Sequence, residues 1–217
     1  MVSRRTSRRN LNPILILAFL ISLVLFVALS ASLDSNWLKE FDEQLSLLIS
    51  GSQGARSANL FALLTLLGSD YVLGVVVLLA CVLLYRSGKT PELIAMLTVG
   101  VGTKVLEHGL KLLFHRTRPE LLASTTGFFG DYAFPSGHSL NAAAVYGFIL
   151  ILVGANVRPT IWRFLILIVG GLLILAIGVS RVILKMHWAS DVAAGWFVAG
   201  MLLSLVVFVL TMFKGRF

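Results

Sequence analysis

The sequence predicts an all-α polytopic membrane protein of six transmembrane helices with short amphipathic interfacial helices, and three observations predict it. Of the 217 residues, 58% are hydrophobic and only 13% charged, with a positive mean hydropathy, whereas a soluble domain carries about 25% charged residues. The apolar residues gather into runs long enough to cross roughly 30 Å of hydrocarbon. The formal net charge of +8 sits mostly in short segments beside those runs, not on one polar face or tail, which points to a bilayer and away from nucleic acid. The single cysteine, Cys81, lies inside an apolar run. An intramolecular disulfide is therefore excluded, a thiolate metal site is disfavoured, and lipid-facing or core packing is expected.

Taken in order, a basic tail over 1–12 carries Arg4, Arg5, Arg8 and Arg9 and precedes the run Ile14 to Leu29, after which come the small residues Ser30, Ala31 and Ser32. That layout resembles a signal peptide, but the run exceeds a typical h-region of about 7–15 residues, so a retained first span is expected. Spans are predicted near 13–33, 70–86, 91–114, 136–155, 161–184 and 190–213. The stretch 37–50 alternates Trp37, Leu38, Phe41, Leu45, Leu48 and Ile49 with Lys39, Glu40, Asp42 and Glu43 at helical spacing, which predicts an amphipathic helix on the membrane surface. Gly68, Ser69 and Asp70 interrupt the apolar pattern of 58–85 and predict that an interfacial helix is split from the second span there. No repeat, low-complexity tract or linker is evident, so 1–217 is read as one membrane-embedded domain.

Lysines and arginines set the orientation. With six spans, the N-terminal arginines, Arg86, Lys89, Arg158, Arg163, Lys214 and Arg216 share one side, and the positive-inside rule makes that side, with both termini, cytoplasmic. The opposite side receives 34–69, 115–135 and 185–189, most of the acidic residues, and His115, His138 and His187. Polar chemistry at three helix ends on one face marks a candidate site.

Three segments carry that chemistry. In Lys111 to Pro119 (KLLFHRTRP), Lys111 and Arg118 are seven residues apart. Two helical turns would place both cations on one side before Pro119 stops the helix; the alternative is interfacial anchoring by snorkelling. In Pro135 to His138 (PSGH), Pro135, Ser136 and Gly137 open the fourth span, so free N–H groups and the positive dipole end favour phosphate. Gly137 would let backbone approach a ligand and His138 would donate a proton, with plain capping by Ser136 as the alternative. In Ser180 to Asp191 (SRVILKMHWASD), His187 and Asp191 are four apart on a helical path. The carboxylate can then accept the imidazole N–H and leave the other nitrogen free to attack. Arg181 adds a third cation. A His-x-x-x-Asp pair also has metal-ligand spacing, but three cations repel a metal and stabilise a phosphoryl group.

The pattern Lys111-x6-Arg118-Pro119, Pro135-Ser136-Gly137-His138 and Ser180-Arg181-x5-His187-x3-Asp191 resembles the type 2 phosphatidic acid phosphatase family. The motifs cover about 25 residues, and the six-span layout extends the likeness over most of the chain. The hydrophobicity argues against the soluble vanadium haloperoxidase branch and for short bacterial members that act on phosphatidylglycerophosphate or undecaprenyl diphosphate. The resemblance implies that Lys111, Arg118 and Arg181 hold the phosphate oxygens, assisted by the backbone around Ser136 and Gly137. It implies that His187 is the nucleophile and forms a phosphohistidine, that Asp191 orients it, and that His138 protonates the leaving group. No metal or other cofactor is required in that scheme.

The expected activity is thus hydrolysis of a lipid phosphate or diphosphate (phosphatidic acid, phosphatidylglycerophosphate or undecaprenyl diphosphate) at the extracytoplasmic face of a bacterial cytoplasmic membrane. The expected partners are the lipid substrate and the bilayer, with no nucleic acid; oligomeric state is not legible. Phosphotransfer to a lipid hydroxyl through the same phosphohistidine is the alternative, and a non-enzymatic anion-binding scaffold a more distant one. Among other polar residues, Lys104, Glu107 and His108 are expected to form a network that neutralises and aims Lys111, with Glu107 and Lys111 pairing at i, i+4 and a direct catalytic role as the alternative. His115 and Arg116 either contact a headgroup or anchor at the surface. Phe128, Phe129, Tyr132 and Phe134 either line the mouth for a lipid chain or are ordinary interfacial aromatics.

Overall fold

Eight helices account for nearly all of the described chain. The structure is a computed structural model, and it describes residues 11–50, 55–119 and 132–214. In order they are α1 (Leu11–Ala31), α2 (Asn36–Ser50), α3 (Ala55–Leu66), α4 (Asp70–Arg86), α5 (Thr90–Phe114), α6 (Gly137–Asn156), α7 (Ile161–Ile183) and α8 (Ala189–Lys214). Six stretches are long and apolar enough to cross a membrane: Asn12–Ala31, Asn59–Arg86, Thr90–Phe114, Gly137–Asn156, Ile161–Ile183 and Ala189–Phe213. Their outward faces bear large exposed apolar residues such as Leu17 and Val24 on α1, Leu78 and Leu83 on α4, and Ile168 and Leu172 on α7. In water such a belt would drive aggregation; against lipid tails it costs nothing.

Helix α8 is the hub, packing against α1, α5 and α6, while α6 also packs on α7. The first helix is built into the bundle: Phe26 is buried and stacks on Phe134 at 5.8 Å, and Phe114 meets Phe134 edge-on at 4.9 Å. Each such ring pair contributes about 0.5–1.5 kcal/mol beyond its buried area. Phe134 is therefore a core residue and not part of a mouth for a lipid chain, because the turn before α6 points it inward. Tyr132 packs edge-on against His115, and Phe128 and Phe129 lie outside the described residues. Cys81 is partly buried against the core.

The expected break before the second span is present. Residues 67–69 form a turn between α3 and α4, where Ser69 caps α4 by accepting the Val72 N–H at 3.4 Å. Helix α2 is amphipathic, but Asp42 is not where the pattern put it. Leu38, Asp42 and Ser46, one turn apart, are the buried stripe, while Trp37, Phe41 and Leu48 are exposed. Asp42 faces protein because Arg116, just beyond the end of α5, meets it there.

Two helix ends shape one end of the bundle. Helix α5 stops at Phe114, not at Pro119 as expected from proline alone: His115 adopts φ 49°, and its N–H donates to the Lys111 carbonyl at 3.2 Å. That left-handed cap ends the helix four residues early. Helix α7 closes in a Schellman turn with Lys185 at φ 55°; the Lys185 N–H donates to the Val182 carbonyl and the Met186 N–H to that of Arg181. The Arg181 carbonyl also accepts the His187 N–H at 3.2 Å, which holds His187 directly beyond the end of α7.

Candidate active site

The three sequence segments meet at one end of the bundle. The Ser136 N–H donates to the Asp191 carbonyl at 3.0 Å, tying the start of α6 to the start of α8. This close approach needs Gly195, because a Cβ there would sit 2.8 Å from the Ser136 carbonyl oxygen and 3.0 Å from the Leu140 nitrogen.

His187 is the centre of the cluster. It is 2% exposed and lies in the turn before α8, not on the helical path expected, with Asp191 in the helix's first turn. The Nδ1 to Asp191 Oδ2 separation is 3.5 Å, too long for a full hydrogen bond, although catalytic contacts often tighten once substrate binds. Asp191 is itself held: Oδ2 accepts the Trp188 N–H at 2.9 Å, the backward half of a capping box, and Oδ1 accepts from Arg116 at 2.6 Å. Burial pushes the His187 pKa well below the ordinary imidazole value, and the charges of Arg181, Arg118 and Lys111 push it the same way; the Ala133 carbonyl opposes them. All three cations singled out by sequence thus bear on one neutral imidazole.

The cations arrive by different routes. Lys111, in the last turn of α5, is buried and paired with Glu107 at 2.7 Å. Glu107 also accepts from Lys104 at 3.2 Å and from Asn141 at 2.9 Å, and Lys104 reaches back to Asp70. Lys111 is therefore aimed by a network, as expected. Arg118 lies beyond α5 in irregular chain, so it does not share a helix face with Lys111; the early stop at His115 carries it to the cluster. Arg181 is buried and donates from Nη1 to Thr65 on α3 at 2.8 Å, while its buried Nε finds no acceptor.

On α6, Ser136 is fully buried and occupies the N-cap position without a side-chain cap bond; its Oγ instead accepts from Ser139 at 2.9 Å. Its own N–H is taken by Asp191, so the donors left for an anion are those of the helix's first turn after it. His138 is half-buried, close enough to Arg181, His187, Asp70 and Glu107 to feel their charges. Gly137 has a reason the sequence did not show: a Cβ there would run into the Glu107 carboxylate. Gly137→Ala is expected to displace Glu107 from Lys111 or shift α6, costing about 1–3 kcal/mol and lowering turnover. Thermal unfolding in detergent and steady-state rates would check it, and wild-type values for both would refute it.

Arg116 is the residue whose place the sequence misled on. Its side chain is turned inward, bridging Asp191, Ser190 at 2.6 Å and Asp42 at 2.8 Å, so it neither contacts a headgroup nor anchors at the surface. Among the described residues no three His, Cys, Asp or Glu side chains are grouped to hold a metal ion.

Cations around a buried imidazole at the end of a six-span bundle describe a protein class that comparison with known proteins decides. The profile of the PAP2 superfamily matches residues 91–215, which contain all three segments. The chain belongs to the PAP2 superfamily. Within it, the chain is 31% identical over 186 residues to phosphatidylglycerophosphatase B of Bacillus subtilis (strain 168), covering 84% of this chain and 89% of that protein. The crystal structure of a transmembrane PAP2 type phosphatidylglycerolphosphate phosphatase from Bacillus subtilis has the same fold. Its TM-score is 0.77 at 24% identity, covering 91% of this chain and 96% of that one. Aquifex aeolicus LpxE shares the fold more distantly, with a TM-score of 0.51 at 20% identity over 80% of this chain and 94% of that one. This PAP2 protein is a multi-pass membrane phosphatase.

Proposed function

We propose that the protein hydrolyses the phosphomonoester or diphosphate of a membrane lipid at the extracytoplasmic face of a bacterial cytoplasmic membrane, through a phosphohistidine on His187. The observation that carries this reading is the convergence of Arg181, Arg118 and Lys111 on the buried ring of His187. A neutral imidazole has a lone pair at Nε2 once Nδ1 faces Asp191. Nε2 attacks phosphorus while the three cations and the first-turn N–H groups of α6 take the non-bridging oxygens, where charge builds in the transition state. The unpaired Nε of Arg181 gains an acceptor when phosphate binds. The bond to the leaving oxygen breaks as His138 delivers its proton there. Water then attacks the phosphohistidine, His138 takes a proton from it, and inorganic phosphate leaves with His187 restored. No step needs a metal.

Orientation rests on the distribution of lysine and arginine, which places both termini in the cytoplasm. Phosphatidylglycerophosphate is the substrate class that the Bacillus relative's name supports; phosphatidic acid shares its phosphomonoester, and undecaprenyl diphosphate offers a terminal phosphoryl group on a phosphate leaving group instead. The test is release of inorganic phosphate by purified protein in detergent from a panel of these lipids. Strict use of a soluble phosphate would overturn the lipid assignment. Dependence on a lipid hydroxyl acceptor would turn the reaction into transfer, and inactivation by a chelator with recovery on zinc would overturn the metal-free scheme.

The depressed His187 pKa has a direct readout. Lowering a pKa keeps a group neutral to lower pH, so His187 is expected to hold the neutral-imidazole ¹⁵N shifts at pH values below the ordinary midpoint near 6.5. The signal is the one lost in His187→Asn. Protonation with a midpoint at or above the ordinary value would contradict the burial argument.

A further inference from the structure

We infer that Arg116 and Asp42 are positioning residues for phosphoryl transfer, acting through Asp191 to set the ring of His187. The inference rests on the reading of His187 as nucleophile. Asp42 comes from α2, 74 residues from Arg116, and both lie outside the three motifs' matching positions. Asp42 is 1% exposed and Asp191 fully buried, with one guanidinium between them: Nη2 donates to Asp42 Oδ2 at 2.8 Å, and Nη1 to Asp191 Oδ1 at 2.6 Å. Ser190, next to Asp191, closes the ring of contacts. Its N–H donates to Asp42 Oδ1 at 3.0 Å, its hydroxyl donates to Asp42 Oδ2, and its oxygen accepts from Arg116 Nη1 at 2.6 Å.

The consequence for His187 is geometric. A carboxylate turns about its last side-chain bond unless both oxygens are held. Arg116 holds Oδ1 of Asp191 and the Trp188 N–H holds Oδ2, so the remaining lone pair of Oδ2 stays aimed at His187 Nδ1, 3.5 Å away. The backbone of Arg116 acts on the same ring. Its carbonyl accepts the Ala133 N–H at 2.7 Å, and the Ala133 carbonyl is the group that faces the imidazole. The guanidinium serves each carboxylate through a separate nitrogen of one planar fork, a span that a single ammonium nitrogen does not reproduce, so lysine is not an equivalent here. Hydrogen-bond partners that orient the ligands of a metal change affinity or activity by about 10–100-fold when removed, and an effect of the same order is expected for partners that orient a nucleophile.

A plain structural tether docking α2 would use the same contacts, and kinetics separates the two roles. Arg116→Gln and Asp42→Asn are each expected to lower kcat by about 10–100-fold while KM for a lipid phosphate in detergent stays within about threefold, with Arg116→Lys restoring little. In an Asp191→Asn background, Arg116→Gln is expected to cost less than about threefold more, because the path through Asp191 is already cut. Unchanged kcat, a change confined to KM, or full additivity on Asp191→Asn would each overturn the role. If Arg116→Gln does not fold, Asp42→Asn, which keeps size and one of the two acceptor oxygens, carries the same comparison. His187→Ala in the same assay separates the two readings. Activity in His187→Ala removes the nucleophile itself, whereas an inactive His187→Ala beside a wild-type-like Arg116→Gln removes only the positioning role.

Discussion

His187→Ala is expected to lose phosphate release by at least about 10⁴-fold, the largest effect of any single change in this protein. A nucleophile that forms a covalent intermediate has no substitute within reach once deleted, and losses of that order accompany removal of such groups elsewhere. What remains is the electrostatic hold of the cations, which still binds a phosphoryl group and orients it toward water. The variant should therefore keep its affinity for vanadate or inorganic phosphate while turnover disappears. The fold is expected to survive, since the His187 Nδ1 makes no hydrogen bond and its N–H belongs to the backbone cap of α7, which alanine keeps. Rapid-quench trapping of acid-labile, base-stable phosphoprotein in wild type and its absence in His187→Ala is the sharper measurement. A variant that still turns over would show that the imidazole is not the group that attacks.

Much of this site was legible because its chemistry is carried by residue types that seldom sit at membrane depth without a purpose. Lys111, Arg118, Arg181, His138 and His187 each interrupt or end an apolar run, and charge at such places is costly unless it is used. The split at Gly68 to Asp70 was legible for a similar reason: serine before an acidic first turn is a strong helix start. The end of the third span near 114 was legible too, but the stop of the helix itself there, ahead of Pro119, was not. His115 takes a left-handed conformation that a non-glycine residue adopts for tertiary reasons, and proline four residues later is the louder but wrong signal. Asp42 was misread for a different reason. A helical pattern records which face is polar but not which polar residue finds a buried partner, and Arg116 lies 74 residues away. Phe134 and Gly137 share that limit, since the meaning of each depends on a neighbour from another helix, Phe26 in one case and Glu107 in the other.

Removing the proton donor should have the second-largest effect, and its size should depend on what leaves. His138→Ala is expected to slow hydrolysis of a phosphatidic acid by roughly 10²–10⁴-fold, the usual range for a positioned general acid, because an unprotonated glycerol alkoxide is a poor leaving group. With a nitrophenyl phosphate presented in mixed micelles the leaving group needs no proton, so the first step should recover most of its rate. The second step should not recover, since in the proposed scheme His138 also takes the proton from the attacking water. The combination predicts a burst: about one equivalent of nitrophenol released per enzyme at near wild-type speed, followed by slow turnover limited by the phosphohistidine. His138 stands at the second residue of α6, with the turn at Gly68 packed against its ring, so alanine there removes the proposed donor while leaving the helix start proposed to bind phosphate. An equal loss for good and poor leaving groups, with no burst, would assign His138 to holding phosphate and leave the proton to come from solvent.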